Sequence, residues 1–275
     1  MPQPKGTLII IGGHEDKQGD AVILQEVAKR IKNGNRLVLI TVASQLPEEL
    51  ATEYRKVFRR LGVTKVDVLD IRSRADAGDE QHDKLLDGAP VVFFTGGDQL
   101  RITSQIGDSP IFRRLHSLYQ EGCTIVGTSA GAAAMPETML VSGAGDESYS
   151  ISALEMAPGL GFLPGVVIDS HFAERGRIGR LLGAVTQNPR NIGLGIDENT
   201  AIVVERGKHF RVLGSGAVYV ADGTRITYSS LSEKHPEGIV SIYDVTLHVL
   251  GKGDKYDLVE RRPVIPPTTA DDASE

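Results

Sequence analysis

Short apolar runs alternate with amphipathic stretches through the first half of the chain. Leu8 to Ile11 reads as a buried strand that ends at Gly12-Gly13. Residues 20–32 then place Ile23, Leu24, Val27, Ala28 and Ile31 on one stripe, and Lys29, Arg30 and Lys32 suit the C-terminal end of a helix. Asn33-Gly34-Asn35 is a stop signal. Leu37 to Val42 predicts the next strand. Pro47 to Leu61 predicts a second helix, with Pro47 in its first turn and Gly62 at its end. Val63 to Ile71 predicts a third strand. The pattern resumes with a strand at Val91 to Thr95 ending in Gly96-Gly97-Asp98, a helix at Pro110 to Gln120 closed by Gly122, and a strand at Thr124 to Gly127. Buried strands separated by helices predict an α/β fold, with a mostly parallel central sheet flanked by helices on both faces. Ligands collect at the carboxyl ends of such strands, where Gly12-Gly13, Gly96-Gly97 and Gly127 to Gly131 lie.

The period changes in the second half. A helix near Ala173 to Val185 is followed by short alternating strands at 192–196, 201–205, 210–213, 217–220 and 239–249, which turn at Gly207, Gly216 and Asp222-Gly223. Antiparallel strands are therefore expected to be added to the parallel sheet. No repeat or linker interrupts the pattern, so residues 1–262 are expected to form one hydrolytic α/β domain. Residues 263–275 are nearly devoid of apolar side chains and are expected to form a disordered tail.

Composition narrows the function classes. The 275 residues are 40% hydrophobic and 24% charged, with 30 Lys and Arg against 36 Asp and Glu, a net charge of −6. That balance argues against a nucleic-acid partner. No apolar run approaches the about 7–15 residues of a signal-peptide core or the about 18 of a membrane span, so a cytoplasmic protein without membrane contact is expected. One cysteine cannot form an internal disulfide; Cys123 reads as a core residue. No C-x-x-C pair or H-E-x-x-H spacing occurs, and neither does a Gly-x-Gly-x-x-Gly or P-loop pattern. No metal and no cofactor are expected.

Gly127-Thr128-Ser129-Ala130-Gly131 fits G-x-S-x-G and lies between a predicted strand and a run of small residues, Ala132 to Ala134. In that context the motif places a nucleophile on a tight strand-to-helix turn, so that Ser129 projects into the cleft beside a helix N-terminus. A serine needs a base. Of seven histidines, His171 is best placed, just past the apolar strand that ends in Asp169-Ser170 and before a helix. His14 also lies at the functional edge and is a weaker candidate for a substrate contact. The base in turn needs an orienting carboxylate. Asp169, Asp197 and Glu198 all follow short strands, and spacing does not choose among them.

Phe94-Thr95-Gly96-Gly97-Asp98-Gln99, the serine motif, Asp169-Ser170-His171-Phe172 and Arg175-Gly176-Arg177-Ile178-Gly179-Arg180 resemble, in this order, the motifs of the cyanophycinases. This serine-peptidase family is related to the aspartyl dipeptidases and to the class I glutamine amidotransferase-like fold. The resemblance spans roughly residues 7–260. It implies a triad of Ser129, His171 and Glu198, in an order that differs from the Ser…acid…His of α/β-hydrolases. It also implies a serine-type exopeptidase that cuts the poly-aspartate backbone of cyanophycin to β-Asp-Arg dipeptides, and a homodimer. The implied substrate contacts are Gln99, Asp169, Ser170, Arg175, Arg177 and Arg180; Ser170 stands where the family leads one to expect Gln. The oxyanion hole is expected to use the N–H of Ala130 with that of Gly97 or Asp98. Guanidinium partners for the polymer's arginines are sought at Glu15, Asp16, Asp146 and Glu147.

Overall fold

The computed structural model describes residues 3–31, 36–142, 154–231 and 240–265. The first half contains β1 (Thr7–Ile11), α1 (Val22–Lys29), β2 (Arg36–Ile40), α2 (Pro47–Arg60), β3 (Lys65–Leu69), α3 (Glu80–Leu85), β4 (Val91–Phe94), α4 (Gln99–Ile106), α5 (Pro110–Glu121), β5 (Thr124–Thr128) and α6 (Ala130–Ala133). The pair β6 (Thr138–Ser142) and β7 (Glu155–Pro158) follows, then β8 (Val166–Ser170), α7 (Ile178–Gln187), β9 (Ile192–Ile196), β10 (Thr200–Glu205), β11 (His209–Gly214) and β12 (Val218–Asp222). The short strands β13 (Tyr228–Ser229), β14 (Ile242–Tyr243), β15 (Thr246–Leu250), β16 (Lys255–Asp257) and β17 (Arg262–Pro263) complete the described chain.

Among the described residues the main sheet runs β17-β16-β11-β10-β1-β5-β4-β2-β3. Its parallel part comprises β1, β5, β4, β2 and β3, and β10, β11, β16 and β17 extend it in antiparallel fashion from the free edge of β1. The apolar runs are continuous because both faces are covered, as parallel sheets require. Successive residues serve opposite cores. Leu8, Ile10, Val38, Ile40, Val92, Phe94 and Ile125 pack with Ile102, Ile106, Ile111 and Leu115 of α4 and α5. Ile9, Ile11, Leu37, Leu39, Phe93 and Val126 pack with Ile23, Leu24 and Val27 of α1 and Tyr54, Val57 and Phe58 of α2. Each such side chain, fully buried, contributes about 1.5–3 kcal/mol.

Three departures from the sequence pattern have local causes. The strands at 192–196 and 217–220 do not join the main sheet; they form a second one, ordered β15-β12-β9-β8, in which α7 covers one face through Leu181, Ala184 and Val185. The helix expected from Ala173 begins only at Ile178, because residues 171–177 form a turn in which Arg177 N–H donates to the Phe172 carbonyl. Pro263 opens no tail at once: it pairs with Tyr256, and Val264 N–H donates to Lys255. The rest of the expected tail, 266–275, lies outside the described residues, as do Asn33-Gly34-Asn35.

Candidate active site

Four loops meet at the carboxyl ends of β1, β4, β5 and β8, joined by the turn between β9 and β10. The β5–α6 turn forces Ser129 to φ 53°, ψ −113°, a conformation that non-glycine residues rarely adopt. That strain is the mark of a nucleophile held out from the end of a sheet. Ser129 Oγ lies 2.7 Å from His171 Nε2, and His171 Nδ1 lies 2.7 Å from Glu198 Oε1.

Backbone geometry holds this chain of groups together. The three consecutive carbonyls of Ile11, Gly12 and Gly13 accept the N–H groups of Ser129 at 3.0 Å, His171 at 2.8 Å and Asn199 at 2.8 Å. One short segment at the end of β1 thus positions the nucleophile, the base and the neighbour of the carboxylate. Gly13 has φ 107°, and a Cβ there would lie 2.3 Å from the His171 ring, so glycine is required by both conformation and space.

The choice among carboxylates is geometric. Asp197 and Glu198 point oppositely. Asp197 is buried and accepts Ala173 N–H and Ala217 N–H, each at 3.0 Å, so it fixes the turn behind His171. Asp169 is buried against arginines. Glu198 alone faces the imidazole. Its second oxygen, Oε2, lies 2.8 Å from Nδ1 of His14, a residue expected only to touch substrate. Partial burial opposes ionisation of Glu198, but the hydrogen bonds from His171 and His14 outweigh it and hold the carboxyl below its ordinary pKa. Burial lowers the His171 pKa below the ordinary 6.5; Glu198 opposes that shift, and the nearby Arg175 charge reinforces it. The imidazole is thereby kept neutral near neutral pH, as a base must be.

Of the expected oxyanion donors, Ala130 is the first residue of α6, where an N–H has no acceptor within the helix. The Gly96-Gly97 loop passes beside it: a Cβ on Gly96 would lie 3.3 Å from Ser129 Cβ. Asp98 drops out, because its N–H donates to the Ala43 carbonyl at 3.0 Å and its carboxylate caps α4 at Leu100 N–H. Gly97 remains; it has φ 141°, and any Cβ would strike Ala43 O at 2.1 Å.

The expected substrate contacts divide in the same way. Gln99 Nε2 donates to the carbonyls of Leu140 and Val141. Asp169 is 1% exposed and Ser170 is 6% exposed. Arg177 Nη1 donates to Asp169 Oδ1 and to the Ser170 carbonyl, each at 2.9 Å, and Arg180 Nε lies 3.3 Å from Asp169 Oδ2. Burial pushes the Asp169 carboxyl up and the Arg180 guanidinium down, and their mutual pairing opposes both shifts. Arg175, in the turn before α7, is exposed. Arg175 and Arg180 therefore do not share a helix.

Of the acidic residues sought for guanidinium binding, the two described ones, Glu15 and Asp16, are engaged elsewhere. Glu15 is 4% exposed and accepts hydrogen bonds from Thr128, at 2.7 Å, and from Tyr54. Asp16 accepts three backbone N–H groups of its own loop, which lower its pKa. Asp146 and Glu147 lie outside the described residues. The roles of Glu15 and of His14 on Glu198 escaped the sequence reading. Their adjacency to Gly12-Gly13 at the end of β1 was the available signal.

A serine hydrogen-bonded through an imidazole to a carboxylate, on a turn aimed out of a parallel sheet, is the arrangement of a serine-type hydrolase. The model of Peptidase family S51 matches residues 8–212. The chain belongs to that family and is a serine-type peptidase. A cyanophycinase of Geminocystis herdmanii is 33% identical over 262 residues, which cover 94% of this chain and 96% of the relative. Cyanophycinases of Synechococcus elongatus and of a Nostoc species are each 36% identical, over 96% and 94% of this chain and 84% and 87% of theirs. Among solved structures, a peptidase from an acI-B1 actinobacterium shares the fold, with a TM-score of 0.69 at 20% identity, covering 93% of this chain and 98% of that one.

Proposed function

We propose that the protein is a cyanophycinase: it hydrolyses the poly-aspartate backbone of multi-L-arginyl-poly-L-aspartate as an exopeptidase, releasing β-Asp-Arg dipeptides through an acyl-enzyme on Ser129. The observation that carries the mechanism is the pair of 2.7 Å contacts linking Ser129, His171 and Glu198. Relatives that bear this name across nearly all of this chain carry the substrate.

In this reading Ser129 Oγ attacks the backbone carbonyl while His171 Nε2 takes its proton. The carbonyl oxygen becomes an oxyanion between the N–H groups of Ala130 and Gly97. His171 then protonates the leaving amine, and water repeats the sequence on the acyl-enzyme. Glu198 holds the Nδ1–H tautomer and stabilises the imidazolium. Each branch of the polymer ends in an α-carboxylate, and Arg175 is the exposed guanidinium that meets it. Arg177 and Arg180, braced on Asp169, add positive field behind it. No cofactor enters this scheme.

No helix among the described residues is long and apolar enough to cross a membrane. The proposal places the enzyme in the cytoplasm with its polymer, as a homodimer by family resemblance. Its test is Ser129→Ala. Turnover of cyanophycin is expected to fall on the order of a million-fold, the scale of nucleophile loss in another serine protease. Mass spectrometry of wild-type products is expected to show β-Asp-Arg first. Turnover of the variant within about tenfold of wild type overturns the nucleophile assignment. Free arginine as first product means that the side-chain isopeptide is cut instead, and turnover of small Asp-X peptides alone points to a dipeptidase.

A further inference from the structure

The carboxylate of Glu198 is bracketed by two imidazoles. His14 Nδ1 lies 2.8 Å from Oε2 and His171 Nδ1 lies 2.7 Å from Oε1, with the rings nearly perpendicular and their centroids 5.2 Å apart. Ligand atoms of the three residues all fall within 4.8 Å of one another. A triad requires one imidazole on its carboxylate; the second is surplus to it. His14 is anchored from both sides, since Asn199 N–H donates to the Gly13 carbonyl and Asp16 N–H donates to the Asn199 side chain at 2.9 Å. Its side chain is 74% exposed, so an ion reaches the site directly from water.

We propose that His14, His171 and Glu198 form a binding site for Zn2+ that switches the peptidase off. Two imidazole nitrogens and one carboxylate, with a fourth position open to water, are a zinc donor set. Ligand atoms around a tetrahedral ion held at about 2.0–2.2 Å lie about 3.4 Å apart, so the carboxylate oxygens need only draw back slightly from the two imidazole nitrogens, at 2.7 and 2.8 Å, to admit it. Borderline-soft Zn2+ suits imidazole, whereas Mg2+ favours an oxygen shell.

Occupancy and catalysis exclude each other through the tautomer of His171. A metal on Nδ1 takes the lone pair of that nitrogen, so the proton of the neutral ring moves to Nε2. His171 then presents an N–H to Ser129 and cannot accept the serine proton. The Nδ1–H bond is exchanged for an Nε2–H bond, so the ring releases no net proton.

The inhibition rests on the triad reading above; the binding does not. Calorimetric titration of Zn2+ into Ser129→Ala protein, which keeps all three ligands, is expected to show one site per chain. Loss of even an outer-shell partner weakens metal sites about 10–100-fold, so adding His14→Asn is expected to weaken binding by at least about tenfold. Asn tolerates the φ of 45° at position 14, which protects the fold of the variant. Co2+ in Ser129→Ala protein is expected to give the intense visible absorption of a four-coordinate site, a readout independent of the His14 variant. In wild type, Zn2+ is expected to inhibit, a chelator to restore activity, Mg2+ to have no effect, and His14→Asn to raise the half-inhibiting Zn2+ concentration at least about tenfold. Equal Zn2+ affinity with and without His14, or a six-coordinate Co2+ spectrum, overturns the site. If Zn2+ binds as described while Ser129→Ala retains turnover, the metal site stands and the triad reading fails.

Discussion

Replacing Glu198 by Gln keeps the shape of the side chain and removes its charge. The carboxylate now serves as acceptor to two imidazoles, His171 on Oε1 and His14 on Oε2. An amide has one oxygen, so only one imidazole can keep an acceptor. If the oxygen faces His171, the tautomer survives and a charged hydrogen bond becomes a neutral one. That loses the difference between the two, about 1–1.5 kcal/mol, or about 5–12-fold in kcat/KM. If the amide nitrogen faces His171, the ring must accept at Nδ1 and carry its proton on Nε2. The loss then approaches the roughly ten-thousand-fold fall caused by the equivalent change in another serine protease. Asp197→Asn is the control. Asp197 accepts the backbone N–H groups of Ala173 and Ala217, and Asn can accept only one of them. An unsatisfied buried group costs about 1–3 kcal/mol of stability, while activity of the folded protein is expected to stay within about tenfold. The assay is kcat/KM on cyanophycin beside thermal unfolding of both variants. If Asp197→Asn proves folded yet less active than Glu198→Gln, the carboxylate has been misassigned.

Four further outcomes are expected. His171 must be neutral to act and its pKa is lowered by burial, so kcat/KM measured with a chelator present is expected to hold below pH 6.5 and to fall only as pH drops through the lowered value; an acid limb at or above 6.5 contradicts this. Arg175→Ala is expected to lower kcat/KM on cyanophycin about 10–150-fold and to move that acid limb upward, because a charge that lowers the His171 pKa is gone; Arg180→Ala instead removes one of the two arginines that pair with buried Asp169, leaving Arg177, and is expected to lose about 1–3 kcal/mol of stability in denaturant titration. Thr128→Val removes a hydrogen bond from buried Glu15 directly behind the nucleophile and is expected to lose about 1–3 kcal/mol by the same measurement; an unchanged midpoint would falsify a structural role for Glu15.

The parallel core was legible because its strands are too short and too uniformly apolar to be anything but doubly covered, and because glycine or proline marks their ends. Ser129 was legible for a related reason: its motif carries its own structural context. The carboxylate was not, since Asp197 and Glu198 are adjacent and only the register of β9 and β10 decides which faces the ring. The arginines were misplaced onto one helix because apolar periodicity resumes at Ile178, whereas the turn of residues 171–177 depends on long-range bonds such as Ala173 N–H to Asp197. Asp98 was a reasonable oxyanion donor by sequence distance; that Ala43 from another loop takes its N–H is invisible to any local pattern. The second sheet was missed because β9 and β12 look locally like strands that could join any edge.

The geometry of the site itself is organised around the end of β1. Four non-glycine residues at the site have positive φ: His14 at 45°, Ser129 at 53°, His171 at 52° and Asn199 at 47°. Each such conformation costs on the order of 1–3 kcal/mol and persists only where the surroundings over-determine it. Here the surroundings are identifiable: the carbonyls of Ile11, Gly12 and Gly13 each hold one strained neighbour by its N–H, and the two glycines let three separate chain segments close on that one backbone. Strain distributed this way fixes nucleophile and base relative to a common frame rather than to each other. It follows that a side chain at Gly13 acts on activity before stability: with its Cβ 2.3 Å from the His171 ring, Gly13→Ala must displace the base from Ser129, whereas the surrounding sheet keeps its buried contacts.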